Sequence, residues 1–193
     1  MSKFVLGVTG ASGSIYAVRL LEELLKSGHE VFLVCTKCGE QVLNYEVNLT
    51  IEHIVKQCGD HGKKLRVCAI DDLFAPIASG SFLIDGMVVL PCSMSTMGKI
   101  SHGIGDNLLI RAADVCIKEK RNLVLVPRET PLSTIHLKNM LSLSEMGVTI
   151  LPAMPSFYHK PRTIEDMIDA IVGRVMRSLG IENHLYHEWN GGV

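Results

Sequence analysis

The 193-residue chain has no excess of charge of either sign, since nineteen Lys and Arg face twenty Asp and Glu for a formal net charge of -1. No global field therefore draws it to a polyanion or an anionic surface, which argues against nucleic acid and membrane partners. Apolar runs are also short. Hydrophobic residues make up 47% of the chain, yet charged positions interrupt every stretch well before the ~18 residues that a span requires. The opening MSKFVLGVTG has one Lys and only five apolar residues before polar ones, too few for a secretory leader, so the cytoplasm is the expected address. A disulfide framework is not needed at this length, and the six cysteines read as reduced thiols. Cys35 and Cys38 form a lone CxxC without the second pair that a zinc site would need. The eight histidines make no HExxH or HxH pattern, and GxSxG is missing. Neither a catalytic metal nor a nucleophile elbow is indicated.

Short, nearly continuous apolar runs alternate with amphipathic ones. That pattern predicts a single α/β domain over residues 1–193: a Rossmann-like three-layer sandwich with a mostly parallel sheet of about six strands. Strands are expected at 4–8, 30–35, 65–70, 86–90, 122–126 and 148–151, and helices at 14–26, 39–45, 51–57, 107–120, 135–145 and 164–179. The first helix carries Ile15, Val18, Leu21, Leu24 and Leu25 on one face and stops at Ser27-Gly28. The polar segment 59–64 reads as a surface loop.

Ligands of open α/β sheets bind beyond the carboxyl ends of the strands, so the residues that follow each strand carry the functional reading. After the first comes GVTGASGS, a glycine-rich turn opening a helix whose free amides can hold a phosphate. Its spacing is neither GxGxxG nor a Walker loop. Thr36 and Lys37 stand where a nicotinamide enzyme carries an acid, which demotes NAD. After the fourth strand, the turn Ser93-Met94-Ser95-Thr96 either grips a ligand through hydroxyls and amides or caps a helix. After the fifth come Arg128, Glu129 and Thr130, where Arg128 either binds phosphate in a bidentate fashion or forms a surface pair with Glu129. Arg111 and Lys118, seven apart on one helix, share a face; the alternative is a solvated face with Asp114 paired to Lys118. Residues 111–128 hold five basic side chains against two acidic ones. Physical chemistry thus leads to an α/β protein for a phosphorylated ligand, preferably a mononucleotide, with cations gathered near a second anion site.

These blocks also carry a resemblance. GVTGASGSIYAVRLLEEL, PCSMSTMGKI, RAADV, KEKR, VPRETPLS and PAMPSFYHKP, in this order and over nearly the whole chain, resemble the UbiX-type flavin prenyltransferases, some once named small subunits of phenolic acid decarboxylases. The resemblance implies the flavoprotein superfold shared with cysteine decarboxylases. It implies a metal-independent transfer of a dimethylallyl group from its monophosphate to N5 and C6 of reduced FMN, the prenylated FMN passing to a UbiD-type decarboxylase. Gly10, Ala11, Ser12, Thr36, Ser93, Met94, Ser95, Thr96 and Arg128 would hold FMN. Arg111, Lys118, Arg128, Glu129, Tyr158, Arg174 and Trp189, the last within EWNG, would serve the prenyl phosphate. Ser12, Glu46, Lys118, Glu129, Tyr158 and Arg174 would take part in the chemistry, Glu46 handling protons. Thr36 replaces the usual Ser, and Ser95 a frequent Lys. A homododecamer with active sites between subunits is implied too. The competing readings are an FMN carrier or regulatory subunit, which would not need the second cation cluster, and an FMN-dependent cysteine decarboxylase, whose PxMNxxMW block is missing.

Overall fold

A computed structural model describes residues 1–187, 189 and 191. Six strands form one sheet: β1 (Lys3–Val8), β2 (Glu30–Cys35), β3 (Leu65–Cys68), β4 (Gly86–Cys92), β5 (Asn122–Pro127) and β6 (Thr149–Ile150), in the order β3-β2-β1-β4-β5-β6. All pairings are parallel, with Val5 opposite Phe32 on one side and Met87 on the other. Such a sheet must be covered on both faces, which is why its central strands read as continuous apolar runs. Alternate residues feed two cores. Leu6, Leu33 and Val88 pack under α1 (Ser14–Lys26), α2 (Lys37–Val47), α3 (Ile51–Gln57) and α7 (Ile164–Ser178). Val5, Val34 and Val89 pack under α4 (Met94–Ser101), α5 (Leu108–Lys118) and α6 (Thr134–Glu145).

Local signals set most boundaries. α1 spans the expected residues, but its buried face is Ala17, Leu20, Leu21, Leu24 and Leu25, while Ile15 stays 38% exposed. Asn107 lies outside α5 as its cap, its side chain accepting from the Ile110 amide at 3.0 Å, and the positive φ of Lys120 ends the turn beyond it. Two segments differ in kind. Residues 94–101, where the sequence offers only a turn or a helix cap at Ser93–Thr96, form the full helix α4, because Met94, Met97 and Ile100 recur at threefold spacing and all point into the core. The expected loop at 59–64 is a 3₁₀ helix. Among the described residues, no helix is long and apolar enough to cross a membrane.

Candidate active site at the carboxyl ends of the strands

The strand order reverses direction between β1 and β4, and the loops after these two strands meet there. Thr9, fully buried, ties them: its hydroxyl donates to the Pro91 carbonyl and accepts from the Ser93 amide, both at 2.8 Å. Sequence reasoning passed over Thr9, although it stands inside the glycine-rich turn. In the same loop, a Cβ on Gly10 would lie 2.6 Å from Cβ of Cys38, so only glycine lets the loop rest on the first turn of α2. If this loop holds the flavin that the resemblance implies, Gly10→Ala should weaken its binding. Cys38→Gly in the same chain should restore it, both read by quenching of flavin fluorescence on titration.

The amides at the start of α1 are not free for a phosphate. Glu46, near the end of α2, places its carboxylate over them and accepts from Gly13 at 3.0 Å and Ser14 at 2.9 Å. Burial pushes the Glu46 carboxyl upward. Hydrogen bonds from the Ser12 hydroxyl and the Ser14 and Gly13 amides outweigh that effect and hold it below the ordinary carboxylate value. Thus the loop read as a phosphate cradle is an ionised carboxylate's cradle. The positive φ of Gly13, 111°, turns the two amides toward it.

Ser12, Glu46 and Arg128 line one cleft of about 870 Å³. Arg128 also borders a smaller cleft of about 290 Å³ that includes Glu129. Its Nε is buried without a hydrogen-bond partner among the described residues. The Glu129 carboxylate accepts from the Thr130 amide at 3.1 Å, and among the described residues it forms no ion pair with Arg128. A buried guanidinium nitrogen without a partner costs folding energy, and an anionic ligand at the cleft would relieve that cost. Thr36 and Ser93 cap α2 and α4, accepting from Gly39 at 3.0 Å and Thr96 at 3.3 Å. Both helix N-termini thus sit at the same sheet edge. Ala11, Met94 and Thr96 are buried, and Ser95 is exposed. The side chain of Met94 belongs to the core, leaving its backbone for any ligand.

Four residues unmarked in the sequence line the large cleft as well: Tyr16, Arg19, Glu165 and Asp169. Arg19 donates to Asp169 at 2.7 Å and also pairs with Glu23, clamping α1 to α7. Burial raises the Tyr16 phenol, which keeps it a neutral donor. Nothing in the sequence signals the Arg19–Asp169 pair, 150 positions apart.

The remaining cations do not join this cleft within one chain. Arg111 pairs with Asp114 at 2.7 Å and donates to the Ala78 carbonyl at 3.1 Å, so Asp114 is engaged one turn from the Lys118 expected for it. Lys118 pairs with Glu119 at the end of α5, just ahead of the start of β5, whereas Arg128 follows the end of that strand. Arg174 is exposed one turn before Ser178, whose carbonyl accepts from Asn122 at the first residue of β5. Tyr158 and Trp189 do meet, edge to face with ring centroids 6.0 Å apart. Glu188 and Asn190 of the EWNG motif lie outside the described residues. The six cysteines are free, and burial pushes the Cys35 thiol up to about 12, which unsuits it to a redox pair with Cys38.

The family model described as Flavoprotein matches residues 1–176. A flavin prenyltransferase UbiX of Alkalihalophilus pseudofirmus is 50% identical over 187 residues, covering 95% of this chain and 94% of that one. Among solved structures, AnUbiX (PadA1) in complex with FMN and dimethylallyl pyrophosphate superposes with a TM-score of 0.92 at 41% identity, covering 98% of both chains. A dodecameric FMN-dependent Ubix-like decarboxylase from Escherichia coli O157:H7 gives 0.91 at 42% identity, covering 98% of this chain and all of the other. With the parallel sheet, the loops joined at its switch point and one cleft lined by both the Glu46 carboxylate and Arg128, whose Nε has no partner among the described residues, this similarity along the whole chain leads to one conclusion: the chain belongs to the flavin prenyltransferases of the flavoprotein family.

Proposed function

We infer that this protein joins a dimethylallyl group, taken from dimethylallyl monophosphate, to N5 and C6 of reduced FMN. The prenylated FMN then passes to a UbiD-type decarboxylase. The observation that carries the reading is the cleft itself, with the ionised Glu46 and the unpartnered Nε of Arg128 on its walls. Its size suits a mononucleotide, and the Gly10 loop, Ala11, Ser12, Thr36, the Ser93–Thr96 turn and Arg128 would hold one. Reduced FMN, when bound, supplies the electron-rich ring positions that accept the allyl carbon. Glu46 takes and returns the proton released on ring closure, and Ser12 orients its carboxylate. Breaking the allylic C–O bond leaves charge on the phosphate. Lys118, Arg174 and the Tyr158 hydroxyl stabilise that charge as preorganised donors, with Arg111, Arg128 and Glu129 arranging them and Trp189 walling the prenyl chain.

In one chain Lys118 and Arg174 stand toward the amino ends of the strands, which supports a site completed by a second copy of the chain in a homododecamer. The reading treats residues 1–193 as a single flavoprotein domain working in the cytoplasm, without metal. Its test is anaerobic incubation with reduced FMN and either dimethylallyl monophosphate or the diphosphate, followed by mass spectrometry of the flavin. A flavin heavier by one five-carbon unit, formed in the presence of a chelator, is expected. Bound but unchanged FMN with both donors would replace this reading with that of a flavin carrier.

A further inference from the structure

We propose that His159 is a positioning residue for the Tyr158 phenol; the proposal rests on Tyr158 serving the prenyl phosphate. Tyr158 lies in the loop between β6 and α7, 42% exposed, and among the described residues its hydroxyl makes no hydrogen bond. What holds the ring is two edge-on contacts, His159 at 5.6 Å and Trp189 at 6.0 Å between centroids. Neighbours in sequence seldom meet in this way. Here a tight turn, closed by the Lys160 amide on the Phe157 carbonyl at 3.0 Å and completed by the positive φ of Lys160, folds the two rings together.

The imidazole is itself anchored. Its Nδ1 lies 3.4 Å from the Ser156 hydroxyl, and its Nε2 is buried with no partner among the described residues. A buried ring nitrogen without a partner is costly, and a phenyl ring would fill the same space without that cost. Packing alone therefore does not account for a histidine here. The Ser156 anchor does: it fixes the ring plane, and Tyr158 packs nearly perpendicular to that plane, at 81°. A phenol held in place before the substrate arrives spares the ordering that a free tyrosine would need on binding.

Five proteins test this: the wild type, the variants His159→Phe, His159→Asn and Tyr158→Phe, and the double variant Tyr158→Phe/His159→Phe. His159→Phe should raise KM for the prenyl donor by roughly five- to tenfold, the weight of one hydrogen bond, with FMN affinity and Tm held. His159→Asn, which keeps a polar group for Ser156 but offers Tyr158 no ring, should lose as much, so that a full recovery in this variant would also overturn the proposal. In a Tyr158→Phe background the His159→Phe change should add little, because the phenol it positions is gone. An unchanged donor KM, or penalties that simply add, overturns the proposal. A second readout needs no catalysis: in protein labelled with 3-fluorotyrosine, the fluorine signal identified by its loss in Tyr158→Phe should narrow in His159→Phe, or in His159→Asn if the former does not fold. A signal of unchanged width overturns the proposal too. Absence of prenylated flavin from the wild type would count against the proposed function alone, because the fluorine spectrum still decides what His159 does.

Discussion

Glu46→Gln should lower the rate of flavin prenylation by about 10²–10⁴-fold, the range for removing a positioned proton-transfer group, while FMN still binds. Glutamine preserves an oxygen to accept from the Gly13 and Ser14 amides but cannot accept a proton, so geometry survives and chemistry does not. The same substitution removes a negative charge from the N-terminus of α1, where a carboxylate contributes typically ~0.3–1 kcal/mol. The pH dependence of that loss has a definite sign. The folded-state value of Glu46 lies below the ordinary 4.5, since hydrogen bonds from Ser12, Ser14 and Gly13 outweigh the upward push of burial. A depressed carboxyl adds stability above its unfolded value and gives it up as pH falls through the folded one. Urea midpoints should therefore favour the wild type over Glu46→Gln near neutrality and converge in acid. Midpoints that stay equally far apart at every pH would show that the carboxylate is not what caps the helix.

Lys118→Ala should abolish prenyl transfer almost as fully, by about 10²–10³-fold for the loss of one preorganised donor. Yet subunits carrying it, mixed with Glu46→Gln subunits, should regain activity. The basis is distance: Lys118 precedes β5 and Arg128 follows it, so six residues at ~3.3 Å each keep them roughly 20 Å apart in one chain. A lysine that serves this cleft must then come from a neighbouring copy. In co-expressed 1:1 assemblies about a quarter of the sites combine an intact Glu46 with an intact Lys118, given random mixing around a symmetric particle. Activity near that fraction, measured on purified mixed assemblies, fits a shared site. No recovery in mixed particles would confine Lys118 to its own chain and remove it from the mechanism.

Much of the architecture was legible before any coordinates because its signals are local. The run from Phe4 to Val8 is apolar on both faces, as a buried parallel strand must be, and α1 begins and ends where Gly13 and Ser27-Gly28 say it should. The start of α4 was legible as one of two readings of the Ser93–Thr96 hydroxyls, a cap, but its extent was not, because the spacing of Met94, Met97 and Ile100 shows only against the core they enter. Two readings of Arg128 stood side by side in the sequence, and among the described residues Glu129 accepts from its neighbouring amide and forms no ion pair with Arg128.

The sequence by itself determined the parallel α/β sandwich, the strand ends at which a ligand would sit and the residue types available there, since periodicity and capping depend on consecutive residues. Only the tertiary structure decided which of those residues meet. It set Glu46 on the amides of Gly13 and Ser14, 33 and 32 positions away, joined Arg19 to Asp169 across 150, and parted Lys118 from Arg128 along the length of one strand. The reason is that contacts between layers depend on how the helices stack on the sheet, and no local pattern in the chain encodes that stacking.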